Sequence, residues 1–377
     1  MWFFGKSASL SYAMLLGHHS RRIKSILAMR LHVRRSTVLL LATFLLPSFA
    51  LAQSFGDRVS GKEAIERLVR SAPKGDAANN IVHFSPDGTQ ITIMSREGKI
   101  VIWDVAARTP VQTMPGQVRY TYEATWSPDG SMIASTSVDG TIHLWDVASG
   151  QRLAVLDQFS EGSPTMGGGI TEARFSPDGR YLAVLQRYSP GRVAVWDLQA
   201  ETEVVRLERD GQIYGMAWRD DGQRLYTGED NGSVYAWAFP DGTELREWKL
   251  QEGNLFDIDV SDSRIAAGGS GGVLHLVDLS SDASPQRFKQ GRFVNRTAVI
   301  PNSPYVAAVS SEGWLKVWNG ASGDLHFERF AHNANTYSVT VSPDHTTLAT
   351  VGQDAYVRFW DVETGDLIGS VGSLQPN

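Results

Sequence analysis

The run Gly268-Gly269-Ser270-Gly271-Gly272 has the G-x-S-x-G form in which a serine can be raised as the nucleophile of acyl transfer. That chemistry needs a strand, a sharp turn and then a helix, so that the hydroxyl stands clear beside an oxyanion site. Here the run lies between two strand-like segments, and a hairpin turn is the expected role of Ser270. Asp257 and Asp259 put two carboxylates on one strand face, a start for calcium ligation, but capping a loop is the simpler expectation. His83, His143, His275, His326 and His345 share no common spacing, and ordinary strand and turn positions account for them. The sequence shows no histidine-rich metal motif, phosphate-binding glycine loop or EF-hand spacing. It has no cysteine, which excludes a disulfide framework, thiolate metal sites and a cysteine nucleophile. No catalytic residue, cofactor or metal is therefore expected.

What recurs along the chain is structural. Residues 132–137 and 141–145 alternate in character and flank Val138-Asp139-Gly140, an Asp-Gly hairpin signal in which glycine takes the positive φ. Ser127-Pro128-Asp129-Gly130 precedes them, and 152–156 reads as a fourth short strand. The preceding turn returns as Ser85-Pro86-Asp87-Gly88 and Ser176-Pro177-Asp178-Gly179, and more loosely as Arg219-Asp220-Asp221-Gly222, Ser261-Asp262-Ser263, Pro301-Asn302-Ser303 and Ser342-Pro343-Asp344-His345. The third strand closes on Trp103, Trp145, Trp196, Trp237, Val277, Trp318 and Trp360, with successive gaps of 42, 51, 41, 40, 41 and 42 residues. A period of this size with this signature marks a β-propeller of four-stranded blades.

These residues resemble the WD40-repeat family over roughly 80–372. The resemblance implies an all-β fold, a seven-bladed β-propeller of four-stranded antiparallel blades. It also implies a buried hydrogen-bonded set of histidine, Ser or Thr, turn Asp and Trp. The last blade offers all four as His332, Thr350, Asp354 and Trp360. The second offers Gln117, Ser135, Asp139 and Trp145, with Gln117 at the same 28-residue spacing from its Trp. Most other blades lack the histidine. The last copy carries its own fourth strand over 366–371, and whether 54–59 adds to it is left open.

Residues 1–52 read as a targeting segment: Arg34-Arg35, the apolar run 38–46, then Ala50-Leu51-Ala52, with cleavage expected before Gln53 and Met29 as an alternative start. The apolar run is short for a membrane span. Seven basic residues and no acidic ones fall in this segment, which leaves 28 basic against 41 acidic, a net charge of −13, in the remainder. Such a body is a poor binder of nucleic acid or anionic membrane. An extension, 53–79, contains one short helix: Ser60-x-x-Glu63 has the form of a capping box, and Ala64, Ile65, Leu68 and Val69 make one apolar face. A tail, 373–377, follows the propeller.

The third blade departs from the period. Seven extra residues fall within 157–170, before its first strand, and two within 186–192, after its second. Both loops lie at one end of the ring. They carry Phe159, Met166, Arg187 and Tyr188, and the same rim carries Arg119, Tyr120, Tyr122, Tyr214, Phe256, Arg292, Phe293 and Tyr337. Aromatic and arginine side chains anchor interfaces, although Tyr122 and Tyr214 also suit core positions on a first strand. The expected function is a non-enzymatic scaffold for a protein or peptide partner, monomeric alone, exported to the periplasm or outside. A cytoplasmic protein is the alternative location. The alternative function is an enzyme or small-ligand binder using the central mouth. If the leader is cleaved, N-terminal sequencing of the native protein should begin at Gln53; a soluble cytosolic pool retaining residues 29–52 would contradict export.

Overall fold

The computed structural model describes residues 58–60, 62–71, 81–95, 98–117, 121–137, 139–156, 169–187 and 190–372. Within them 28 strands form seven antiparallel sheets of four, each taken in chain order, preceded by the helix α1 (Lys62–Ser71). The chain is a seven-bladed β-propeller. Its blades span 83–114, 121–156, 170–209, 213–249, 255–289, 294–330 and 336–372. In each, the first strand is innermost.

The turn between first and second strands shows why Ser-Pro-Asp-Gly recurs. Ser127 Oγ donates to Asp129 Oδ1 (2.6 Å), which also accepts the Ser131 N–H (3.0 Å), and Gly130 takes φ 73°. Ser85-Asp87 and Ser176-Asp178 repeat the arrangement. In the seventh blade His345 holds the left-handed position, φ 62°, that glycine holds in blades 1 to 4.

The core is divided. Seven apolar clusters each lie between two consecutive blades. One joins Met94, Ile100, Ile102 and Met114 of blade 1 to Ala124, Trp126, Ile133 and Trp145 of blade 2. Another joins Val82, Ile91, Val101 and Trp103 to Val351, Val357, Phe359 and Val371, and so closes blade 7 on blade 1. The last blade supplies its own fourth strand, Leu367–Gly372, and the extension adds a single antiparallel bridge, Val59 to Leu367. Arg58 strengthens it with bonds to Asp361 (2.7 Å) and Asp366 (3.2 Å). Helix α1 lies against the fourth strand of blade 6 (Leu325–Phe330), burying Ile65 and Val69 in the cluster between blades 6 and 7. Lys62 pairs with Glu328 and stands over the Trp314 ring.

Trp145 is 3% exposed and donates from Nε1 to Ser135 Oγ at 2.9 Å. Trp145→Ala should therefore lower stability by about 3–5 kcal/mol in urea denaturation. A loss under about 1 kcal/mol would mean that the cluster collapses around the gap.

Candidate functional site

The inner edge of each first strand faces the central channel, where its backbone N–H groups have no neighbouring strand to accept them. Carboxylates of the preceding blade take this role. Glu123 Oε2 accepts the Ala173 N–H (3.3 Å), Asp257 Oδ2 accepts the Thr297 N–H (2.7 Å), and Asp259 Oδ2 accepts the Val299 N–H (2.7 Å). Asp257 and Asp259 therefore cap no loop, contrary to the expectation from their spacing. They tie blade 5 to the first strand of blade 6.

Buried carboxylates need counter-charges, and the channel supplies them. His83 Nε2 lies 2.6 Å from Glu123 Oε1, which also pairs with Arg174 Nη1. Arg174 Nη2 reaches Glu172 (2.5 Å), and Arg296 Nη1 reaches Glu172 at 3.6 Å and Asp257 at 2.5 Å. The chain of alternating charge thus starts in blades 1 to 3 and ends in blades 6 and 5. Burial opposes the charge on Glu123, but the Arg174 guanidinium and the His83 hydrogen bond outweigh it and hold the carboxyl down to about 2. Burial raises Glu172, and it raises Asp259 to about 6 with the charge of Asp257 adding to the effect. Burial lowers His83, so a neutral imidazole donates Nε2–H to the ionised Glu123. His83 is no ordinary strand histidine. No spacing along the chain joins these carboxylates to His83, and they converge only in this layer. A signal was available: Glu123, Glu172 and Asp257 all stand four residues before the turn residues Ser127, Ser176 and Ser261.

At the channel's other end, the first strands of blades 2 to 7 each carry a bulge, at Tyr122, Thr171, Tyr214, Phe256, Asn295 and Tyr337. A bulge re-aims its side chain out of the ladder. Thr171 is buried and the other five are half-buried at the mouth, so Tyr122 and Tyr214, which belong to none of the seven core clusters, are rim residues. The Tyr214 and Phe256 rings lie 5.9 Å apart and those of Phe256 and Phe293 6.1 Å. Arg187 covers Tyr214 at 5.0 Å, and Arg292 covers Phe293 at 5.1 Å. Of the predicted rim residues, Arg187, Arg292 and Phe293 are thereby joined in one arc over blades 3 to 6. Phe159, Met166, Tyr188, Arg119 and Tyr120 lie outside the described residues.

The formal G-x-S-x-G is the hairpin between second and third strands of blade 5, and Ser270 Oγ donates to the Asn254 carbonyl (3.3 Å). The buried histidine set of blade 7 is formed: His332 contacts Asp354 (2.7 Å) and Thr350 (2.9 Å), which accepts Trp360 Nε1 (2.9 Å). In blade 2, Gln117 takes the histidine's place beside Ser135 (3.2 Å). Blade 4 lacks the histidine yet keeps a network. Arg209, also 28 residues before its Trp, bonds Glu229 (3.0 Å) and stacks on Tyr235, while Trp237 Nε1 donates to Thr227 (3.0 Å).

Residues 108–146, 203–238 and 325–361 match the family pattern described as WD domain, G-beta repeat. Among curated relatives, Target of rapamycin complex subunit LST8 of Rattus norvegicus is 26% identical over 147 residues, 35% of this chain and 43% of that protein. WD repeat-containing protein 1 of Xenopus tropicalis is 24% identical over 174 residues, 41% of this chain and 27% of that protein. The matches thus span less than half the length of these relatives. A chain of the mitotic checkpoint complex crystal structure superposes with a TM-score of 0.67 at 18% identity, covering 77% of this chain and 90% of that one. The Cps50 (Swd1) β-propeller domain of Myceliophteria thermophila gives 0.61 at 16% identity, with 78% and 95% covered. At these identities the superpositions show the fold alone.

Glu123, fully buried, has a folded pKa below its unfolded value of 4.5. Its contribution is therefore present above about pH 4.5 and lost as pH falls through about 2, on the order of 3 kcal/mol in all. Glu123→Gln should be less stable than the native chain at pH 7 and show a flatter loss of stability between pH 4.5 and 2 in urea titrations. Parallel acid curves would remove the carboxylate from this role.

Proposed function

From a seven-bladed propeller that carries WD40 repeats, we propose a non-enzymatic scaffold whose bulged rim holds a protein or peptide partner. The observation that carries the reading is the arc Arg187–Tyr214–Phe256–Phe293–Arg292. Rigid aromatic rings and arginine stems supply contact area at low entropic cost, and four different blades place them side by side. The channel's buried charges, by contrast, are engaged in bonding strand edges and one another. A complex subunit among the similar proteins, Target of rapamycin complex subunit LST8, supports the same direction. Phe159, Met166, Tyr188, Arg119 and Tyr120 stay in the proposal as neighbours by blade and loop. We place the scaffold outside the cytoplasm on the leader-like order of residues 1–52. Alone it is a monomer, and its acidic body disfavours nucleic acid.

Cross-linked affinity capture from the native compartment, followed by binding measurements with the captured partner, tests the assignment. Tyr214→Ala combined with Phe293→Ala should weaken binding at least tenfold, about 1.4 kcal/mol. The melting temperature should change little, because both rings are half-buried at the rim and belong to none of the seven core clusters. Deleting residues 159–168 is the corresponding arm for the third blade. Unchanged affinity in both variants would move the interaction surface elsewhere.

A further inference from the structure

We propose that the end of the channel beside the turns between first and second strands binds an organic cation, a primary ammonium on a slim apolar stem, with Asp259 as its counter-ion. A cavity of about 400 Å³ opens there. Apolar side chains such as Met216, Trp218 and Val341 line it, beside Arg174, the paired Arg296 and Asp257, the histidines His83 and His345, and the carboxylate of Asp259. Apolar walls next to a carboxylate that no guanidinium pairs suit a ligand with a charged head and a hydrocarbon body.

The sign of the ligand follows from the charges. Four carboxylates, Glu123, Glu172, Asp257 and Asp259, stand in the channel against two guanidinium groups, Arg174 and Arg296. Arg174 pairs with Glu123 and Glu172, and Arg296 with Glu172 and Asp257. These three carboxylates share both guanidinium charges. Among the described residues no cation is paired with Asp259, whose hydrogen bonds come from backbone N–H groups such as that of Val299. Fully ionised, the layer carries an excess of two negative charges, which disfavours an anionic ligand. Asp259 is half-buried, and a partly desolvated carboxylate without an ion-pair partner is costly, a cost that a bound cation offsets. Its carboxyl is raised to about 6, so it is ionised and ready for a cation at pH 7.5.

A metal ion fits less well. It needs several oxygen or nitrogen donors around one point, and the other carboxylates are committed to arginines and backbone N–H groups. Among the described residues no such group of donors is found. An ammonium needs one strong acceptor and tolerates apolar walls along its stem. Such a head group belongs equally to a free amine or to the lysine side chain of a peptide.

Titration calorimetry on the full chain at pH 7.5 with 1-aminopentane, and separately with N-acetyl-lysine methylamide, distinguishes these sources. Saturable binding of at least one probe is expected, with a dissociation constant on the order of 1 mM or tighter. Binding of the peptide-like probe alone would identify a partner's lysine as the source, and binding of the amine a free small molecule. Asp259→Asn should weaken it at least tenfold without lowering the melting temperature, since an uncompensated charge is removed. 1-Pentanol, the neutral counterpart, should not bind the native chain, a control that needs no variant. Failure of both cations to bind at about ten times the expected constant would overturn the proposal. So would equal binding of 1-pentanol, or unchanged binding in a folded Asp259→Asn chain.

Discussion

A first strand in this ring has one edge that no other strand can pair, and that edge faces the channel. Its N–H groups must find acceptors, because a buried donor left unbonded costs about as much as a lost hydrogen bond or more. The acceptors come from the preceding blade as carboxylates, Glu123 to Ala173 and Asp257 to Thr297. Carboxylates held away from water then call for cations, and Arg174 and Arg296 meet that need. The charged layer thus follows from the edge. It also locks blades together: removing one member leaves another buried charge uncompensated, a larger loss than the net worth of the pair.

The same geometry separates the two ends of the channel. At the turn end, the Ser-Pro-Asp-Gly motifs of blades 1 to 3 close their hairpins with internal hydrogen bonds, and the other blades turn with looser variants. At the other end the ladder gives way to bulges, and a bulged residue is free of strict alternation. Large side chains at those positions cost the blade little and can be chosen for contact. Tyr214, Phe256 and their arginine neighbours are consistent with that freedom, while the equivalent positions Thr171 and Asn295 carry small polar groups.

Much of the fold was legible because its causes are local. The hydrophobic alternation, the Asp-Gly turns and the Trp at the close of six of the seven third strands each act within a dozen residues. The buried histidine set of blade 7, implied by the resemblance to the WD40-repeat family, is formed by His332, Thr350, Asp354 and Trp360. Arg209 carries no histidine signature, although it stands as far before Trp237 as Gln117 stands before Trp145, and Glu229 is near enough there to pair with its charge. Asp257 and Asp259 were misread as loop caps because spacing along one strand says nothing about which neighbouring edge lacks an acceptor.

The sequence by itself determined the blade, the number of blades and the residues that must be buried between them. Each follows from short-range turn chemistry and from a period repeated seven times. Which residues meet across the channel was decided only by closure of the ring. Glu172 and Arg296 belong to blades three apart, and no local pattern ties a carboxylate in one to a guanidinium in the other. Their contact exists because seven wedge-like sheets, each packed on the next, bring all the first strands around one axis. There the low dielectric makes every uncompensated charge costly and so selects the partners.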